Sequence, residues 1–198
     1  MADARTTRGS GRAALTSAAR EVIAERGYHG ASIRDIAARA GLSLTALYHW
    51  HAGKQELFVA LLRESRQDYL DTCRAGVAAS PDDPAERLAA LVRATVDYRV
   101  RRRIESEISA REWRHVEPRW LGELDEFRVA ASALWTDVVE DGVRRGIFGC
   151  DHPDEARRAI QAACNAIPQW YDPAGSITPD ELADRYVAIA RRVVGHRA

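Results

Sequence analysis

Ser43, Thr45, Tyr48 and His49 crowd into seven residues just after Ala40-Gly41-Leu42. Small hydroxyls at the start of a helix bond base edges or phosphates, and a helix N-terminus favours an anion. Leu44 shares that stretch, and Ser32 and Arg34 open the segment before it. Lys54 follows, placed to reach a phosphate, and Arg5, Arg8 and Arg12 add cations whose contacts with a nucleic-acid backbone would weaken with salt. A second group lies downstream: Tyr98, Arg111, Trp113, Trp120, Trp135, Asn165 and Trp170. Aromatic groups spread over several helices, with a few polar ones, suit a largely apolar ligand pocket. The same aromatics would serve equally well as core. Arg99, Arg101, Arg102, Arg103, Arg111, Arg114 and His115 could meet a phosphate or carboxylate. Beside Glu105, Glu107 and Glu112 they also read as a solvated, salt-bridged face.

Other chemistries find little support. His49-Trp50-His51 offers two histidines without the further ligands that a closed zinc site needs. His152 beside Cys150 and Asp151 reads as a loop with a helix cap. No metal and no cofactor is expected. No Gly-rich phosphate loop, nucleophile elbow or HExxH stands in the chain, so it does not read as an enzyme. The competing class is a helical ligand-binding protein or enzyme that never touches DNA.

The elements that would hold these residues are helices. The chain has 198 residues, 46% of them hydrophobic and 29% charged, enough for one or two domains with a core that needs no disulfide. Three widely spaced cysteines, and an N-terminus without an apolar stretch after its charges, point to the reducing cytoplasm rather than a secreted protein. No apolar run approaches the length of a transmembrane helix. The net charge is zero, but residues 1–55 carry eight basic against four acidic groups, so a basic N-terminal piece precedes an acidic body. That asymmetry points weakly to a polyanion.

Ala, Leu, Arg and Glu dominate, and alternating β-branched residues are scarce, so the pattern predicts an all-α fold of about nine helices. Residues 1–9 read as an arm. Helices follow over about 10–26, from a Ser32 cap to Gly41, from a Ser43 cap through Tyr48, over 54–78, over 84–102, over 104–116, over 119–145, over 153–169 with Pro168 bending or ending it, and over 179–195. Ser32 with Asp35, Asp83 with Pro84, and Thr178-Pro179-Asp180-Glu181 are start signals. Two short helices joined by a turn with glycine make the helix-turn-helix layout, whose second helix enters the major groove.

The string from Ser32 to Leu57 resembles the TetR family of transcriptional regulators. It follows that family's signature at Ile36, Ala37, Ala40, Gly41, Leu42, Ser43, Leu47, Tyr48, His49, Lys54, Glu56 and Leu57, without gaps. It departs at Thr45 and Ala46, where the family usually has a small glycine-containing pair, and at Trp50, where it usually has Phe. The resemblance implies a DNA-binding domain over residues 8–65 and a ligand-binding, dimerising domain over 66–198. It also implies a homodimer through the last two helices on a near-palindromic double-stranded operator, and a repressor released by a small hydrophobic or acyl-type effector. The stretch Gln169–Gly175 looks like an actinobacterial subgroup that controls lipid or steroid catabolism and senses CoA thioesters. Gln161 and Asn165 stand where that subgroup tends to offer basic and large aromatic groups.

Overall fold

The computed structural model describes the backbone of residues 4–196 and the side chains of residues 11–196. Among the described residues there are nine α-helices: α1 (Ala4–Gly30), α2 (Ile33–Arg39), α3 (Leu44–Trp50), α4 (Lys54–Ala78), α5 (Pro84–Arg101), α6 (Arg103–Glu112), α7 (Pro118–Arg144), α8 (Pro153–Trp170) and α9 (Pro179–Val193). A 3₁₀ turn, Trp113–His115, follows α6. The all-α expectation holds, and most boundaries fall within two residues of the sequence pattern. The caps explain why. Ser32 accepts from Asp35 N–H while the Asp35 carboxylate takes the Ser32 N–H, and Thr178 with Glu181 repeats the arrangement. Asp83 accepts from the N–H groups of Ala85 and Glu86, and Pro84 fills the first helical position.

Two boundaries differ from the pattern. α1 begins at Ala4, inside the expected arm, because extending an existing helix by Ala, Arg and Thr costs little once its nucleus is packed. At Gly27, with φ of 69°, the regular helix breaks as the sequence pattern expects, and a short helical turn carries on to Gly30. α6 stops at Glu112 rather than near Val116, and its last turn tightens into 3₁₀ form.

The chain divides into two compact units: Met1–Ser65 with Ile104–Leu124, and Arg66–Arg103 with Asp125–Ala198. In the first, Leu15, Val22, Ile23, Ile36, Leu47, Leu57, Phe58 and Leu62 form the core together with Ile108, Val116 and Leu124. An ion pair of 2.7 Å from Arg20 to the buried Glu105 fastens α1 to α6.

In the second unit, α5 packs on α8 and α9 around Leu88, Leu91, Val92, Val96, Trp135, Ile160, Ile167, Leu182 and Val187. Arg93–Asp184 and Arg191–Glu86 pairs, at 2.5 and 2.7 Å, lace the rim of α5 to α9. Cys73 and Cys164 are fully buried here as free thiols, and burial pushes Cys164 up to about 12.

Where α7 ends, the chain reverses through Gly146, and the N–H groups of Ile147 and Phe148 both donate to the Gly142 carbonyl. The Phe148 ring then lies so close over Gly142 that a Cβ there would sit 2.0 Å from it. Gly142→Ala is therefore expected to overpack the second unit and cost about 1–3 kcal/mol, read as a lower melting temperature. An unchanged melting temperature would show that the Phe148 ring has another place to go.

Candidate nucleic-acid interface

The turn between α2 and α3 is fixed by backbone bonds. Gly41, with φ of 68°, donates to the Ala38 carbonyl, and Leu42 donates to the Ala37 carbonyl at 3.0 Å. Only a residue tolerant of positive φ closes a helix in this way. The Ser43 hydroxyl then accepts from Ala46 N–H at 3.1 Å and starts α3. Ile36, Ala37 and Leu47 are buried where the helices meet, and the small Ala37 allows their close approach. With Leu47 facing inward, the other side of α3 faces solvent. Ser43, Thr45 and His49 are exposed, Tyr48 is 52% exposed, and Leu44 is half-buried. Arg39 braces this pair of helices against Glu21 and Glu25 of α1.

The remaining residues expected on this surface sit as follows. Ser32 is exposed, but its hydroxyl is engaged with Asp35 as a cap. Arg34 and Arg12 are exposed. The side chains of Arg5 and Arg8 lie outside the described residues. Lys54 has a task within the protein. Its Nζ donates to the carbonyls of Tyr28 and Ala31 at 2.8 and 3.0 Å and lies 4.3 Å from the centre of the Tyr28 ring. Desolvation lowers its pKa accordingly. Glu112 Oε2 completes the tie by accepting from Tyr28 N–H, and the His115 ring stacks on Tyr28.

His51, the residue that closes α3, is buried, while His49 points to solvent, so the two histidines do not converge. Among the described residues no three His, Cys, Asp or Glu side chains come together to hold a metal. No helix among them is long and apolar enough to cross a membrane.

The residues expected to line a ligand pocket are divided between the two units. In the first, Trp113 and Trp120 pack against the core at half-burial, and the Arg111 side chain is 70% exposed. In the second, Tyr98 and Trp135 are core residues at 1% and 0% exposure. Trp170 is 51% exposed and stacks on Tyr186 with ring centres 6.4 Å apart. Asn165 accepts from Arg99 at 2.8 and 3.1 Å. That bond belongs to a polar group the sequence did not reveal. The Arg99 guanidinium lies 4.8 Å from the Tyr69 ring centre and 5.5 Å from that of Tyr98, and the Tyr69 hydroxyl contacts Thr95 at 3.1 Å. Burial pushes the Tyr69 phenol well up. Its members come from α4, α5 and α8, so no local spacing signals it.

One face of α8 and α9 is apolar and uncovered: Ala159, Ala162 and Ala163 on α8, and Ile189 and Val193 on α9, are exposed.

Comparison with known proteins places these features in a lineage. Residues 15–61 match the family model described as bacterial regulatory proteins, tetR family, and residues 81–194 match the tetracyclin repressor-like, C-terminal domain. The chain is 33% identical over 186 residues to the HTH-type transcriptional repressor KstR2 of Rhodococcus jostii RHA1, covering 90% of this chain and 88% of that protein. A tetR-family regulatory protein from Rhodococcus RHA1 shares the fold with a TM-score of 0.88 at 27% identity, over 95% of this chain and 98% of that one. The ketosteroid transcriptional regulator KstR2 of Mycobacterium tuberculosis gives 0.83 at 28% identity, over 94% and 95%.

Two stability measurements follow from this geometry. Lys54→Met leaves the Tyr28 and Ala31 carbonyls without their charged donor and is expected to cost about 2 kcal/mol in denaturant unfolding. No loss would mean that water replaces the ammonium freely. His51 is held below its ordinary value of 6.5, first by burial and then by the Arg12 and Arg63 charges, against a pull from Glu56. As pH falls through 6.5 the unfolded chain takes up this proton before the folded one does, so stability present at higher pH is lost. The melting temperature of wild type should fall more steeply between pH 7.5 and 5.5 than that of His51→Phe. Parallel curves would remove His51 from the account.

Proposed function

The chain is a member of the TetR family of DNA-binding transcriptional regulators, and on that footing we propose that it is a homodimeric repressor whose α3 reads a near-palindromic operator. Residues 8–65 carry the DNA contacts, and residues 66–198 bind the effector and dimerise. The observation that carries this reading is the outward side of α3, where Ser43, Thr45, Tyr48 and His49 stand free of the core on a helix fixed by Gly41 and the Ser43 cap. Arg8, Arg12, Ser32, Arg34, Leu44 and the remaining donor capacity of Lys54 flank them as backbone contacts. Two copies joined through α8 and α9 bury the exposed alanines with Ile189 and Val193, and place the two α3 helices about 34 Å apart, one turn of DNA. The regulator works in the cytoplasm, where its operator lies.

The effector is a small hydrophobic or acyl-type molecule, and the ketosteroid in the name of one relative favours a sterol-derived acid or its thioester. Its polar end meets the group around Arg99, Asn165 and Tyr69 in the second unit, and the aromatic residues Tyr98, Trp135 and Trp170 belong to the same region of sequence. Bound effector favours a conformation with lower operator affinity, so operator and effector oppose each other by linkage.

Fluorescence anisotropy with the DNA upstream of its own gene tests the first part. Binding should exceed that to a shuffled fragment and weaken as salt rises. Tyr48→Ala should lower operator affinity by about tenfold or more, within the range of a lost base contact, with dimer mass and melting temperature unchanged. Equal binding to both fragments, or an unchanged Tyr48→Ala variant, would overturn the assignment of α3. An effector of the proposed class should release the DNA at saturation, and operator affinity that ignores it would exclude that class.

A further inference from the structure

The composition of α3 limits the base contacts it can make. The helix reads Leu44-Thr45-Ala46-Leu47-Tyr48-His49-Trp50, so it carries no Arg, Lys, Asn, Gln, Asp or Glu. In the major groove guanine shows two acceptors, met in a fork by Arg, and adenine shows an acceptor beside a donor, met by Asn or Gln. Cytosine shows an amine, met by Asp or Glu. None of these partners stands on α3. Leu47 is buried and Leu44, Ala46 and Trp50 are half-buried, which leaves Thr45, Tyr48 and His49 on the exposed side. A phenol or an imidazole nitrogen makes single hydrogen bonds, not a fork. The Ser43 oxygen is already occupied by Ala46 N–H.

The neighbouring cations do not fill the gap. Lys54 is bonded to the carbonyls of Tyr28 and Ala31, and Arg39 to Glu21 and Glu25. Arg34 stands on α2, the helix of such a pair that crosses the backbone rather than entering the groove. The fourth base is different. Thymine carries a C5-methyl into the major groove, and the methyl of a threonine is one of its apolar partners. Thr45 brings that methyl, is exposed, and is the second residue of α3, in the part of a recognition helix that meets base edges. Resting on the reading of α3 as the helix that enters the groove, we propose that it selects its operator chiefly through thymine methyl groups, with Thr45 Cγ2 packed on the C5-methyl of one thymine in each half-site. Thr45 is thus a specificity-determining residue through its methyl, and its hydroxyl is secondary.

The test starts from DNA that the protein itself selects. The whole chain enriches duplexes from a random pool, and the selected site is remade with deoxyuridine in place of thymine, one equivalent position of both half-sites at a time. That exchange removes the methyl and keeps every hydrogen-bonding group of the base. Wild type is compared by anisotropy with Thr45→Ser, which keeps the hydroxyl alone, and Thr45→Val, which keeps a methyl alone. The side chain is exposed, so both variants should match the wild type in melting temperature and dimer mass. The expected result is one thymine per half-site at which deoxyuridine weakens wild type and Thr45→Val by about tenfold, roughly the weight of two buried methyl groups, and leaves Thr45→Ser unaffected. Penalties that are equal in wild type and Thr45→Ser at every thymine, or absent throughout, overturn the proposal while the reading of α3 stands. So does a penalty that Thr45→Val loses and Thr45→Ser keeps. A pool from which no sequence is enriched removes the α3 reading itself, and this inference with it.

Discussion

The first unit depends on how the end of α1 is tied. Gly27 breaks the helix with a positive φ, and just beyond it the carbonyls of Tyr28 and Ala31 and the amide of Tyr28 bond to side chains. Tyr28 and Ala31 are both buried, so those groups need partners within the protein. Lys54, the first residue of α4, supplies both carbonyls, and Glu112, the last of α6, supplies the amide. One knot thus sets the start of α2, the start of α4 and the end of α6. It also explains a peculiarity of composition. The chain has one lysine and 28 arginines. A coding bias accounts for the arginines, but a compact ammonium bonded to two carbonyls under a tyrosine ring is a place where a planar guanidinium does not substitute.

Much of the fold was legible because it is written in neighbouring residues. Ser32 with Asp35, Ser43, Asp83 with Pro84, and Thr178 with Glu181 each use partners two or three positions away. The turn at Gly41 needs only its own backbone freedom. The exposed side of α3 was legible for the same reason, since helical period places Leu47 opposite Tyr48 and Thr45. The unread features are long-range. α6 ends early because Glu112 and His115 answer to Tyr28, 84 and 87 residues upstream. Helical periodicity marks Ile108 and Val116 as apolar but does not say whose core they enter.

The aromatic residues teach a related lesson. Tyr98 and Trp135 vanish into the second core, Trp113 and Trp120 pack on the first, and Trp170 stands in solvent against Tyr186. Residue type made all five candidates for one lining, but only placement separates a buried wall from an exposed stack. The Arg99 group reverses the case. Its arginine and asparagine are 66 positions apart, and only the packing of α5 on α8 joins them. His51 is a third variant: its position was plain, but burial with both nitrogens unpaired is a property of the packing around it.

The inclusion of Ile104–Leu124 in the first unit has a consequence for how the protein is made. A ribosome delivers residues 1–65 first, but Glu105, Ile108, Glu112 and Leu124 are still unsynthesised when Ser65 appears. The nascent segment then holds Arg20 without its carboxylate and an apolar surface without its cover. It completes only after about sixty more residues have emerged, a delay of several seconds at ordinary elongation rates. A chain cut short after α4 would carry every residue of the DNA-reading surface and still lack the unit that holds it in shape. Incomplete translation products would therefore compete poorly for the operator.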